Sequence, residues 1–141
     1  MNVEPCFYFQ GQCEQAMDFY REVLSAEVLF AVRMKDNPSQ QPVRPGTEQK
    51  ILRAGLKIGS ASVLMSDGHN AGKPTFQGFS LNLTVDGQDR AKQLYESLAT
   101  GGEIRIPLQE TPGSPAFGTV VDKFGVLWVV AAKAQSSQDA G

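Results

Sequence analysis

Few side chains in this chain are equipped for chemistry, and they are scattered along it. Arg53 stands in ILRAGLKI, where a permanently protonated guanidinium can hold a carboxylate or phosphonate through paired hydrogen bonds but cannot ligate a cation. Alternation puts Arg53, Gly55 and Lys57 on one strand face and Leu52, Ala54, Leu56 and Ile58 on the other. An anion anchor and an ordinary solvated edge cation both fit that pattern. Glu110, in LQETPGSPA, is the candidate catalytic residue, a general base if burial raises its pKa toward neutrality; beside Thr, Pro and Gly it also suits a loop-fixing acceptor. His69 is the single histidine and lies in SDGHNAGKP, a Gly-flanked stretch that positions an acid or base poorly and suits a surface role. That stretch is not a phosphate loop: its spacing is short by one residue, Pro74 replaces the metal-binding hydroxyl and no helix follows. Cys6 and Cys13 make neither a disulfide framework nor a zinc set. Both are expected as reduced thiols, with Cys13 at a helix start, where a lowered pKa would make it reactive.

Composition excludes several classes. With 141 residues, 41% of them hydrophobic, the chain can bury one or two small cores. A net charge of −2 with acids and bases mixed offers no footprint for nucleic acid and no polybasic membrane patch. No apolar run approaches the roughly 20 residues of a bilayer span, and MNVEPCFYFQ lacks the layout of a signal peptide. A cytoplasmic protein with a small-molecule ligand is the expectation, without nucleic acid or membrane partners.

The elements that must position these residues repeat. Residues 5–10 read as a strand, and Ala16, Phe19, Tyr20, Val23 and Leu24 share one face of a following helix. A strand over 27–33 precedes a proline-bearing loop at 36–49, long enough for a lid or a dimer arm. Strands at 51–58 and 62–66 complete the first module, 1–67. A Gly/Pro-rich linker spans 68–78. The second module, 79–132, opens with FSLNLTV and then a helix carrying Ala91, Leu94, Tyr95, Leu98 and Ala99 on one face. Asp86 is its expected N-cap and Gly101-Gly102 its stop. A short strand at 103–107, a loop at 108–116 and the pair within FGTVVDKFGVLWVV finish it, with Asp122 holding the intervening turn. The tail, 133–141, is expected to fray.

Both modules therefore read β-α-β-β-β, an α+β fold. One helix covers one sheet face, so the other needs a cover or a ligand. Ser80, Asn82 and Thr84 alternate with Leu81, Leu83 and Val85, which suggests a wet concavity with helices outside and a cavity inside. Alternation points Leu127 and Val129 into that cavity and Trp128 toward the helix. Phe7, Phe9, Met65 and Phe117 are read as strand residues that pack the core and also line the pocket.

FYFQGQCEQAMDFYREVL, LKIGSASVLMSD, LQET and FGTVVDKFGVLW resemble the PhnB-like branch of the vicinal oxygen chelate superfamily, which includes glyoxalase I, extradiol dioxygenases and the fosfomycin and bleomycin resistance proteins. The branch is often labelled demethylubiquinone methyltransferase-like, and the resemblance runs over residues 4 to 131. It implies a homodimer whose curved mixed sheets enclose a ligand cavity. It also implies four cavity-facing positions at which metal-dependent members carry His, Glu or Gln; here these fall near Pro5, near Leu64 or Met65, at Ser80 and at Val129. Only Ser80 offers an oxygen, so no metal and no cofactor are expected. Some relatives carry His where this chain has Arg53. A methyl-donor site would need a Gly-rich strand-to-helix turn in an alternating α/β order, which this sequence lacks. Two readings follow: a metal-independent binder of a small organic molecule, anionic where it meets Arg53, or a metal-dependent or Glu-based lyase, isomerase or dioxygenase. A third is a dimeric domain whose cavity is vestigial.

Overall fold

The computed structural model describes residues 1–37, 43, 45–68 and 74–134; His69, most of the 38–44 loop and the tail beyond 134 lie outside them. Strand β1 (Cys6–Tyr8), helix α1 (Cys13–Leu24) and strands β2 (Glu27–Arg33), β3 (Ile51–Ile58) and β4 (Ala61–Ser66) form a first compact unit, Met1–Pro74. Strand β5 (Leu81–Val85), helix α2 (Gln88–Ala99) and strands β6 (Glu103–Thr111), β7 (Ser114–Val121) and β8 (Leu127–Ala132) form the second, Thr75–Gly141. Each is a four-stranded mixed sheet with one helix, ordered β1-β4-β3-β2 and β5-β8-β7-β6. In each, the first strand pairs parallel with the last and the remaining neighbours pair antiparallel. The expected α+β pair of βαβββ modules is the observed fold.

In the first unit α1 buries Cys13, Ala16, Met17, Tyr20 and Leu24, and it packs against β3 and β2. The sheet answers with Phe7, Met65, Ala54, Leu56 and Val63, all buried and in register across β1, β4 and β3. Gln12 stands at the helix N-cap without a side-chain bond. The start is instead satisfied from a distance by Asp67, whose Oδ1 accepts the Cys13 N–H at 2.9 Å while Oδ2 accepts the Ile51 N–H at 2.9 Å. A buried carboxylate at the positive end of a helix is stable because its hydrogen bonds are charge-assisted and the dipole favours it. Outside this core, Arg33 clasps both Glu14 carboxylate oxygens, at 3.1 and 2.7 Å, and this hydrogen bonding holds Glu14 below its ordinary pKa.

In the second unit Ala91, Leu94, Tyr95 and Leu98 of α2 face the alternating buried residues Trp128, Val130 and Ala132 of β8 and Ala116 and Val120 of β7. The β7–β8 turn is held by Asp122. Its Oδ1 accepts the N–H groups of Phe124 and Val126 at 2.9 and 3.1 Å, and Oδ2 accepts the indole N–H of Trp128 at 2.9 Å. Asp86 does not cap α2. The N-cap is Gly87, at φ 83°, with no side-chain bond, while Asp86 reaches Lys133 at 3.6 Å.

Residues 108–116 are not a loop: β6 runs to Thr111 and turns through Pro112-Gly113 directly into β7. Pro107 hid the strand, yet a proline is tolerated on an edge and at a bulge. β6 is an edge whose register with β7 shifts three times. The distorted backbone is clamped by Tyr95, whose hydroxyl donates to Ile106 O at 2.8 Å and, more weakly, to Thr119 O at 3.3 Å. The clamp requires Gly118, since a Cβ there would lie 2.8 Å from Ile106 O and 2.9 Å from Tyr95 Cε1. Two substitutions test this. Tyr95→Phe should lower unfolding stability by about 1 kcal/mol, the usual net worth of one hydrogen bond. Gly118→Ala should cost more, because backbone rather than a flexible side chain must move. Urea denaturation in which both variants match the wild-type midpoint would contradict the clamp.

Candidate functional site

Each sheet has one face under its helix and one that no helix of its own unit covers. In the second unit the register assigns the uncovered face row by row. Asn82, Val129, Thr119 and Ile106 form one row, Thr84, Ala131, Phe117 and Gln109 the next, and Leu127 pairs with Val121 beyond them. The apolar members Val129, Ala131, Phe117 and Leu127 are half-buried, whereas Asn82, Thr84 and Gln109 are exposed. The face is thus an apolar floor set with neutral hydrogen-bonding groups, the composition of a small-molecule surface. Of the residues singled out in the sequence, Asn82, Phe117, Leu127 and Val129 come together here. Ser80 is half-buried one residue ahead of β5. Gln109 and Thr119 were missed, the first because its segment read as a loop.

The corresponding face of the first unit carries Cys6, Leu64, Gly55 and Phe30 in one row. Tyr8 lies beyond that row on β1 and the Arg53–Val32 pair beyond it on β3 and β2. Arg53 is exposed, and its guanidinium lies 5.6 Å from the centroid of the Phe30 ring, within cation–π range. The ring in turn lies against the backbone of Gly55, where a Cβ would come within 2.5 Å of Phe30 Cε1. The Tyr8 phenol is held above its ordinary pKa, first by a side-chain hydrogen bond with Cys6. Phe30 was not anticipated, because EVLFAVR gives no sign of which side its aromatic takes.

Three residues read as pocket-lining lie elsewhere. Phe7 and Met65 belong to the row packed beneath α1, and Phe9, just past β1, is 1% exposed. They are core residues of the first unit, because the strand register turns positions 7 and 65 toward the helix and 6, 8 and 64 away from it. Glu110 sits on β6 rather than on a loop, and it is exposed, so the burial a general base would need is missing. It lines a groove of about 730 Å³ with Asp86, Asp89, Arg90 and Lys133, a mixed-charge surface that shares none of the ligand-face residues.

The positions that the resemblance maps to metal ligands do not fit a divalent ion. Pro5, Leu64 and Val129 bring only hydrocarbon, the Met65 thioether is soft and buried, and a lone Ser80 hydroxyl is a weak donor. Among the described residues no three His, Cys, Asp or Glu side chains gather. Nor is Cys13 an activated thiol: it is fully buried, and burial first, with the Asp67 charge adding to it, drives its pKa up rather than down. No helix of the described residues is long and apolar enough to cross a membrane.

Two βαβββ modules of this order form the glyoxalase-like fold of the vicinal oxygen chelate superfamily, shared with a glyoxylase/bleomycin resistance protein/dioxygenase domain from Frankia. Within that class, residues 1–131 match the model of the family described as 3-demethylubiquinone-9 3-methyltransferase, the PhnB-like family, and the chain belongs to it. It is 31% identical over 138 residues to Protein YjdN of Escherichia coli K12, covering 92% of this chain and 94% of that one. The crystal structure of PA1353 from Pseudomonas aeruginosa superposes with a TM-score of 0.84 at 29% identity, covering 96% and 99% of the two chains. The PhnB protein of Bacillus cereus superposes at 0.78 with 25% identity, over 94% and 99%. The methyltransferase in the family's description has no counterpart in the described residues, whose sheets are mixed rather than the alternating parallel α/β order of the usual methyl-donor site.

Burial makes the cysteines a direct check on this arrangement. Iodoacetamide should leave Cys13 unmodified in the native protein and label it in urea. Peptide mass spectrometry showing equal labelling in both conditions would mean that the start of α1 is open.

Proposed function

We propose that each unit can bind a small organic molecule on the sheet face its own helix leaves uncovered, without a conventional metal site, and that Arg53, on the face of the first unit, receives an anionic group. The observation that carries this reading is the face built by Asn82, Thr84, Phe117, Leu127 and Val129. Its half-buried apolar floor and spare hydrogen-bonding groups do nothing for the core on the other side of the sheet. Arg53 supports the anionic half of the reading, because among the described residues no carboxylate lies within ion-pair distance of it. Sequestration needs only shape, an apolar wall and a few polar anchors.

We further propose that the protein acts as a homodimer. The edge strands β2 and β6 expose Leu29, Ile104 and Ile106 at 41–53% of their surface, more apolar side chain than edges ordinarily display. Light scattering at a monomer mass would refute the dimer.

Binding to the native state must raise its stability. Thermal-shift screening against small acids, antibiotics and phosphonates should therefore find a ligand that raises the melting temperature, and Arg53→Ala should abolish the shift for the anionic ones. Two outcomes overturn the reading: acid-induced shifts that persist unchanged in Arg53→Ala, or turnover restored to the dialysed protein by stoichiometric nickel, zinc, iron or manganese.

A further inference from the structure

Arg53 differs from the other described arginines in what surrounds it. Arg21 lies 3.5 Å from Asp18, Arg105 3.4 Å from Glu103, Arg90 3.3 Å from the Gln93 amide oxygen, and Arg33 is clasped to Glu14. Arg53 instead lies over the Phe30 ring, and that ring is seated in the notch left by the missing side chain of Gly55. A guanidinium packed over a ring, with no acid partner, keeps N–H donors for a ligand, and their fork matches a carboxylate.

Resting on the binding reading above, we propose that the uncovered face of the first unit takes a carboxylate attached directly to a flat, conjugated ring. The argument is one of planes. A carboxylate paired through two parallel N–H···O bonds lies in the plane of the guanidinium. In an aryl or conjugated acid the ring is coplanar with its carboxylate, so the whole molecule continues that plane. The floor beside Arg53 suits such a slab: Leu64 carries no charge, and the exposed rings of Phe30, seated over Gly55, and of Tyr8 on β1, 40% and 52% accessible, lie to either side of it. Aromatic faces also reward a flat partner over a puckered one.

The test is a titration of the full chain by calorimetry with four probes: benzoate, 2-naphthoate, cyclohexanecarboxylate and phenylphosphonate. The flat carboxylates should bind about tenfold or more tightly than the saturated one, a difference of about 1.4 kcal/mol. Arg53→Lys, which keeps the charge but loses the fork, should weaken benzoate by about tenfold, and Phe30→Leu should narrow the gap between flat and saturated acids. Arg53 is exposed, so Arg53→Lys should melt as the wild type does. Equal affinity for cyclohexanecarboxylate and benzoate, both dependent on Arg53, overturns the flat-ring class and leaves anion binding standing. Tighter binding of phenylphosphonate than of benzoate overturns the carboxylate. Affinity for all four that ignores Arg53 substitution, or no binding at all, overturns both this inference and the anion-binding half of the proposed function.

Discussion

A helix of 12 residues is about 18 Å long and 10 Å wide. Laid on four strands spaced roughly 4.8 Å apart, it covers one side of a sheet and no more. Everything distinctive in this chain follows from that mismatch. Each unit spends its large apolar residues beneath the helix: Phe7, Met65 and Leu56 in one, Trp128, Val130 and Val120 in the other. The second side is left to side chains of intermediate character. Phe117, Leu127 and Val129 are too apolar for an ordinary wet surface, while Asn82 and Thr84 are too polar for a core.

Much of this was legible in the chain because burial leaves a period. The 3.6-residue spacing picked out Ala16, Tyr20 and Leu24, and later Ala91, Leu94, Tyr95 and Leu98, which are buried, and with them Phe19, Val23 and Ala99, which are half-buried. In β7 and β8 the alternation is clean enough to send Trp128 to the helix and Leu127 and Val129 away from it. Alternation alone does not say which of two alternating sets meets the helix, and that is where the reading of β1 failed. Phe7 and Phe9 are aromatic enough for either side, and only pairing with Met65 and Ala54 decides the matter. β6 was misjudged for a different reason: proline, glycine and serine are loop signals in isolation, but an edge strand with a bulge tolerates them. Long-range partners left no local mark at all. Nothing near Phe30 in sequence announces that Gly55 makes room for its ring, and nothing near Gln12 announces that Asp67 completes the helix start.

The two buried aspartates show how the units differ beneath their shared plan. Asp122 works locally, tying a turn to the indole six residues away, so the β7–β8 hairpin carries its own fastening. Asp67 works across the unit, bonding α1 and β3 at once. Neither carboxylate is free for chemistry, which removes them from any catalytic account. The groups left over are neutral amides and hydroxyls on one face and the side chains of Arg53 and Lys57 on the other.

The long span between Cys13 and Asp67, 54 positions, has a consequence for biosynthesis. The N–H at the start of α1 has no acceptor from its own neighbourhood, so the helix reaches its finished form only after the β3–β4 hairpin has emerged and closed back over it. On the ribosome this latch on α1 is therefore available only once residue 67 has cleared the exit tunnel, whereas the groups that Asp122 binds all lie within six residues of it.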